Sequence, residues 1–177
     1  VATNARSAKT LIPTLAIPQS HSVTTWYHLA DCDGTELTEG KGVVMIDGKR
    51  FNGSVPDPKR PLVNTVVVSN AAPSYASQGR TLVSSSALGV HDSVYAESLV
   101  RSHLASLYAV PTSGWQHVAT YPIPEALPAM PAPHTLSKEP RLGDGLYIAG
   151  DHREVSSING AFASGRRAAE AVIVDGL

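Results

Sequence analysis

Residues 145–171, GLYIAGDHREVSSINGAFASGRRAAEA, constrain the fold more than any other stretch, because a strand pattern gives way to a helix pattern across one polar loop. Gly145-Leu146-Tyr147-Ile148-Ala149 is short and apolar, as a buried strand requires, and Gly150-Asp151 ends it. The loop over 151–157 is polar, and Ile158 to Val174 takes up helical spacing. In α/β sheets, ligands bind where loops leave the carboxyl ends of the strands. Gly150 at that place lets a ligand approach the backbone, and Asp151 sets an acceptor beside it. The helix opening near Asn159-Gly160-Ala161 has first N–H groups with no partner inside the helix. Those donors suit an anion or a polarised carbonyl, and Gly160 is expected to keep their approach unobstructed.

That helix is short of side-chain bulk. Gly160, Ala161, Ala163, Ser164, Gly165, Ala168 and Ala169 all fall within it. Glycine in a helix interior costs roughly 1 kcal/mol relative to alanine, so Gly165 needs a reason. Close approach of a flat ligand is one, and tight packing against a sheet with no ligand is the other. Spacing alone leaves both open.

Upstream, Asn4 caps an expected helix over 4–12 that Pro13 stops. Ser22 to Ala30 is rich in β-branched and aromatic residues and reads as a strand, turned at Asp31–Gly34. Gly42 to Ile46 is read as a second strand, with Asp47-Gly48 as a hairpin signal into Lys49–Asn52. Val63–Asn70 and Arg80–Leu88 are further strands, separated by a turn around Gln78-Gly79. Four or more strands joined by short polar turns suggest an antiparallel sheet. Over 92–109 the period becomes helical through Tyr95, Leu99, Val100, His103, Leu104, Leu107 and Tyr108, and Glu97 can pair with Arg101 at i, i+4. The Pro-rich stretch 111–140 is read as an ordered, extended crossing segment.

The 177 residues suit one domain by size, and 42% apolar against 16% charged residues makes the chain globular. A net charge of −1 with only short basic clusters argues against a nucleic-acid partner. No apolar run is long enough to span a membrane. The single cysteine, Cys32, excludes an internal disulfide and suits a reducing compartment, so a cytoplasmic location is expected. Seven histidines lie scattered without ligand spacing, so no metal site is expected; His152, beside Asp151, reads as a solvent-facing loop residue. Ser84-Ser85-Ser86 lacks the nucleophile-elbow pattern of a serine hydrolase.

The run GLYIAGDHREVSSINGAFASGRRAAEAV resembles the C-terminal flavin motif of the amine oxidase, protoporphyrinogen oxidase and phytoene desaturase superfamily. There a Gly-Asp or Gly-Glu pair follows a strand, and a pattern N-G-A-x-x-S-G-x-x-A-A opens the final helix. PSYASQGRTLVSSSALG, the segment of Trp115 with YPIPEALP, and VATNARSAKTLIP resemble further family segments, so the likeness covers nearly the whole chain. The resemblance implies non-covalent FAD, with Asp151 on its ribityl or phosphate part. It also implies that Ile158, Asn159, Gly160 and Ala161 form the helix start facing the isoalloxazine, while Gly150, Ser164 and Gly165 allow close approach. The expected fold is α+β. An antiparallel substrate-domain sheet with helices is joined to the C-terminal strand and helix of an FAD-binding Rossmann-like domain.

On this reading residues 1–20 are a remnant of the FAD-binding domain, 21–124 a substrate-type domain, and 125–177 the Pro-rich crossing with the closing strand and helix. Trp26, Tyr27, Trp115 and Tyr121 are candidates for a substrate cavity, each with a plain core role as the alternative. No G-x-G-x-x-G occurs, so the pyrophosphate turn lies outside these residues, the FAD site here is incomplete, and the isolated chain is expected to be inactive. Its expected partners are a small-molecule substrate and the missing N-terminal FAD-binding half, with self-association through exposed apolar surface. The reaction implied is oxidation of a C–N or C–C bond by hydride transfer to flavin, and no catalytic residue can be named. The alternative is a non-catalytic module, derived from such a flavoprotein, that binds a ligand or partner.

Overall fold

The computed structural model describes residues 1–77, 79–91 and 94–176, and only the backbone of Asn52 and Tyr95. In chain order its elements are α1 (Ala5–Leu11), β1 (Ser20–Ala30), α2 (Gly34–Thr38), β2 (Val44–Met45), β3 (Phe51–Asn52), β4 (Val55–Pro56) and β5 (Leu62–Val67). There follow α3 (Val68–Ala71), β6 (Thr81–Leu88), α4 (Val94–Tyr108), β7 (Gln116–Pro128), β8 (Arg141–Gly143), β9 (Leu146–Tyr147) and α5 (Ile158–Val174). The chain is α+β and divides into two compact units, one of Ser22–Pro124 and one of Val1–His21 with Glu125–Leu177. Among the described residues, no helix is long and apolar enough to cross a membrane.

The first unit is built on a five-stranded antiparallel sheet in the order β2-β5-β6-β1-β7. Strand alternation sorts its side chains. Thr24, Trp26, His28 and Ala30 of β1 are buried, as are Thr81, Val83, Ser85 and Ala87 of β6, while the residues between them are half-exposed. Antiparallel pairing sets Trp26 opposite Ser85 and His28 opposite Val83, so the buried sets share one face. Against that face packs α4, whose Val100, Leu104 and Tyr108 join Trp26, Leu62, Val67, Val83 and Trp115 in the core. The spacing read over 92–109 thus names the right helix face; Asp92 and Ser93 lie outside the described residues, as does Gln78 of the expected turn.

Several polar groups on the core face are joined in networks. The Thr65 hydroxyl donates to the Ser84 carbonyl at 3.0 Å and accepts from the Tyr108 hydroxyl at 3.0 Å. Burial raises the Tyr108 pKa, which keeps the donor protonated. Tyr108→Phe is expected to cost about 1 kcal/mol, the net worth of one such hydrogen bond, read as a shift in urea midpoint with unchanged slope. The expected Glu97–Arg101 pair forms, with the Glu97 carboxylate 2.7 Å from Arg101 Nη2 and 3.0 Å from the buried His28 Nε2. Arg101 also donates to the carbonyls of Thr112 and Trp115, which fastens the loop after α4 to the helix.

Several expected elements differ. The strand read over Gly42–Ile46 shrinks to Val44–Met45, paired with Val66 and Thr65 of β5. Asp47-Gly48 does not form the hairpin, because the strand before it pairs with β5 rather than across the turn, and the Asp47 carboxylate is taken up by Lys49 N–H, Arg60 and His103. The hairpin turn instead falls at Gly53-Ser54, between β3 and β4, with Gly53 at φ 63°. The strand read as Val63–Asn70 ends at Val67, and Val68–Ala71 coils into a helical turn. Asn70 there donates to the Gly34 carbonyl and the Thr38 hydroxyl. The Pro-rich connection contains β7, a 13-residue strand at the sheet edge. Pro122, Pro124 and Pro128 share one parity, so their missing N–H groups fall on one side of the strand, as an edge position tolerates.

The second unit has a smaller core of Ala8, Leu15 and Ile148, with Ile12 packed against it. Helix α1 begins at Asn4, whose side chain accepts from Ser7 N–H at 2.9 Å. The apolar strand read over 145–149 is shorter than expected. Only Leu146–Tyr147 is strand, paired with β8, and Ala149 makes a single parallel bridge to Ala2.

Candidate functional site

The bridge between Ala2 and Ala149 fixes where Gly150 and Asp151 emerge. Ala149 N–H donates to the Val1 carbonyl at 2.9 Å, and Thr3 N–H donates to the Ala149 carbonyl at 3.3 Å. From the other side Ser164, buried on α5, accepts the Gly150 N–H at 3.2 Å. Helix and strand end are therefore joined through Gly150. A Cβ at Gly150 would stand 2.6 Å from the Thr3 carbonyl oxygen and 2.5 Å from the His152 ring, so no larger residue fits.

Around this junction opens a cleft of about 360 Å³ within the second unit, lined by Ala2, Thr3, Asn4, Ala149, Gly150, Asp151, Ala161 and Gly165. Its α5 wall carries no bulk: beside Gly165 a Cβ would meet nothing within 4 Å. No protein neighbour within 4 Å therefore requires this glycine. Gly160 is the reverse case, since a Cβ there would lie 1.8 Å from the Val155 carbonyl oxygen. Gly160 lets the preceding loop fold closely onto the helix.

Helix α5 starts at Ser157, whose hydroxyl accepts the Gly160 N–H at 3.0 Å. That leaves the N–H groups of Ile158 and Asn159 open to an outside acceptor. Both residues are exposed, Ile158 at 78%, and neither lines the cleft. Of the residues singled out from the sequence, the fold brings Gly150, Asp151, Ala161 and Gly165 to one cleft and sets Ser164 behind it as a tie. Ala2, Thr3 and Asn4 were not named as site residues. Their only sequence signal is the likeness of VATNARSAKTLIP to a family strand and helix.

His152 is not solvent-facing. It is 2% exposed, because the missing Gly150 side chain lets the imidazole fold back beneath the strand end. Burial lowers its pKa, which favours the neutral ring, and Nδ1 stands 3.8 Å from the Asp151 carboxylate, beyond a hydrogen bond. Asp151 itself remains half-exposed at the cleft rim.

The sheet of the first unit carries a second cavity, of about 400 Å³, on the face turned away from α4. Thr25, Tyr27, Leu82, Val118, Ala119, Tyr121 and Ile123 line it, none of them charged. Tyr27 and Tyr121 meet edge to face with ring centroids 5.9 Å apart. Of the four aromatic candidates, Tyr27 and Tyr121 line this cavity, whereas Trp26 and Trp115 lie in the core on the opposite face. Among the described residues, no group of three metal-ligating side chains occurs.

A small-residue helix thus faces a Gly-Asp strand end across this cleft, and comparison with known proteins gives the class of protein. The sequence pattern of the Flavin containing amine oxidoreductase family matches residues 38–173. The chain belongs to that family. No curated protein matches it. Among solved structures, its fold is similar to that of an oxidoreductase from Methanosarcina mazei, with a TM-score of 0.58 and 16% sequence identity. The alignment covers 94% of this chain and 37% of that one, so these residues span just over a third of that protein's length.

Proposed function

We propose that these residues form part of an FAD-dependent oxidoreductase that oxidises a C–N or C–C bond, the flavin supplying the hydride acceptor. The observation that carries this reading is the bare wall formed by Gly150, Ala161 and Gly165, with the Asp151 carboxylate at its rim. The residues fit such a group. Open space beside Gly165 admits a flat ring system, and small-molecule sites commonly occupy roughly 300–1,000 Å³, a range whose lower end this cleft reaches. Asp151 would accept hydrogen bonds from cofactor hydroxyls, Ser164 would hold the helix to the strand end, and the N–H groups of Ile158 and Asn159 would offer donors to a polarised carbonyl. Residues 1–20 and 125–177 would then supply the closing portion of an FAD-binding domain of Rossmann-like type. Residues 21–124 would supply the substrate domain, whose uncharged cavity at Tyr27 and Tyr121 would suit an apolar substrate. A segment carrying G-x-G-x-x-G would hold the pyrophosphate and complete the site.

Flavin titration, followed by fluorescence quenching and absorbance, tests this for these residues alone and joined to such a segment. The joined form is expected to bind FAD, and Asp151→Ala to weaken binding about tenfold, the loss of one charge-assisted hydrogen bond. Failure of both forms to bind would sink the proposal and favour a ligand- or partner-binding module without redox activity.

A further inference from the structure

A separate pocket of about 230 Å³ lies on the α4 side of the sheet, opposite the cavity at Tyr27 and Tyr121. Its floor is apolar: Trp26 and Val100 are each 1% exposed, and Leu99 adjoins them. Its wall is the loop after β4 together with Arg50. The polar groups that line it differ in how they are engaged. Arg60 is committed to Asp47 and Ser106. His91 makes a 2.7 Å hydrogen bond from Nε2 to the Leu88 carbonyl. Asp57 accepts the Lys59 N–H. Arg50 alone is uncommitted: its guanidinium lies 5.1 Å from the Phe51 ring, and its buried Nε has no partner among the described residues.

The guanidinium of half-exposed Arg50 thus keeps one N–H, at Nε, buried without an acceptor, which is unfavourable, and a carboxylate matches a guanidinium in charge and in planar geometry. The exposed neighbours Lys49 and Lys59 add positive potential, which favours an anion. Asp57 in the wall and the single uncommitted guanidinium favour one negative charge over a polyphosphate. The volume corresponds to roughly seven or eight waters at about 30 Å³ each, room for a compact ligand. We propose that this pocket binds a small monocarboxylate with a compact apolar body, the carboxylate on Arg50 and the body against Trp26, Leu99 and Val100.

Cyclohexanecarboxylate and its neutral amide, cyclohexanecarboxamide, share a shape and differ in charge, so they separate the two halves of the proposal. Each is titrated into isotope-labelled protein while the Trp26 indole N–H resonance is followed. The acid is expected to shift that resonance and to bind at least tenfold more tightly than the amide. Arg50→Leu should abolish the tenfold preference, Arg50→Lys should keep part of it, and Arg166→Leu, at an exposed position of α5, should leave it unchanged. Equal binding of acid and amide, an unmoved Trp26 resonance, or full affinity in folded Arg50→Leu would each overturn the assignment. If Arg50→Leu does not fold, the acid–amide comparison in the unaltered protein decides.

Discussion

Gly160→Ala is expected to lower stability by about 3 kcal/mol or more, since the added methyl meets a backbone oxygen and cannot be relieved by rotating a side chain. The Val155 carbonyl stands 1.8 Å from where that methyl would be, and the loop holding it leads directly to Ser157, the cap of α5. Relief would require the loop to lift, which withdraws the Ser157 hydroxyl from the Gly160 N–H. Gly165→Ala, five residues along the same helix, is the matched comparison. Its methyl enters open space, and replacing an interior helical glycine should raise stability by about 0.5–1 kcal/mol. If the cleft takes flavin, the same methyl should weaken FAD binding. Thermal unfolding and flavin titration on the two variants give four numbers. The expected pattern is unstable for Gly160→Ala, and more stable with poorer flavin binding for Gly165→Ala. A Gly160→Ala protein as stable as the parent would show that the loop near Val155 yields freely.

The second large effect lies at Asp47. Its side chain is only 4% exposed and accepts from Arg60, from His103 Nε2 at 2.9 Å and from Lys49 N–H at 2.8 Å. Leu62 N–H donates to His103 Nδ1, which fixes the proton on Nε2 and aims it at the carboxylate. Asp47→Asn removes the charge but keeps the shape, leaving Arg60 without its counter-ion. Breaking such a buried pair should cost about 3 kcal/mol, or roughly 6–12 °C in Tm for a chain of this size.

The pH dependence has a definite sign. The Arg60 hydrogen bond holds the Asp47 carboxyl well below the usual carboxylate range, and burial lowers His103 below the usual histidine value. Both folded values are depressed, so both contributions are complete above the unfolded values and fade as pH falls. His103 should begin to destabilise below about pH 6.5, and Asp47 below about pH 3.9. His28 and His152 are shifted the same way by burial and add to the upper step. Circular dichroism melts between pH 3 and 8 would check this: Asp47→Asn should shrink the lower step, to which Glu97 and other depressed carboxylates also contribute, and keep the upper one. A variant melting within a degree or two of the parent at neutral pH would show that the network contributes little.

The parts that could be read from the sequence are those in which periodicity and burial agree. Helix α4 announced its core face because Val100, Leu104 and Tyr108 recur at helical spacing, and β1 and β6 alternate cleanly. The Gly150-Asp151 end and the small-residue helix were legible for a chemical reason, since both break ordinary packing preferences. Strand β7 was hidden because proline normally argues against a strand, and only its edge position permits three of them. Asp47-Gly48 does turn the chain, with Arg50 N–H donating to the Asp47 carbonyl at 3.3 Å, but the strand before it pairs with β5 rather than across the turn. The burial of His152 and the packing of Gly160 against the Val155 carbonyl each depend on one neighbour that no pattern in the sequence indicates. Ala2, Thr3 and Asn4 join the cleft through a bridge to Ala149, a separation too long for local rules to reach.

That bridge also bears on the order in which the protein can assemble. The unit of Ser22–Pro124 is a continuous stretch, and its strands and helix can close as soon as residue 124 has been made. The other unit joins Val1–His21 to Glu125–Leu177, so contacts between these two segments can form only after the intervening unit has been synthesised. During that interval Ala8 and Leu15 lack the Ile148 side chain that covers them in the finished core. The sheet-bearing unit is therefore available as a folded platform before the cleft exists, and any cofactor that needs the cleft can enter only as a last event of folding.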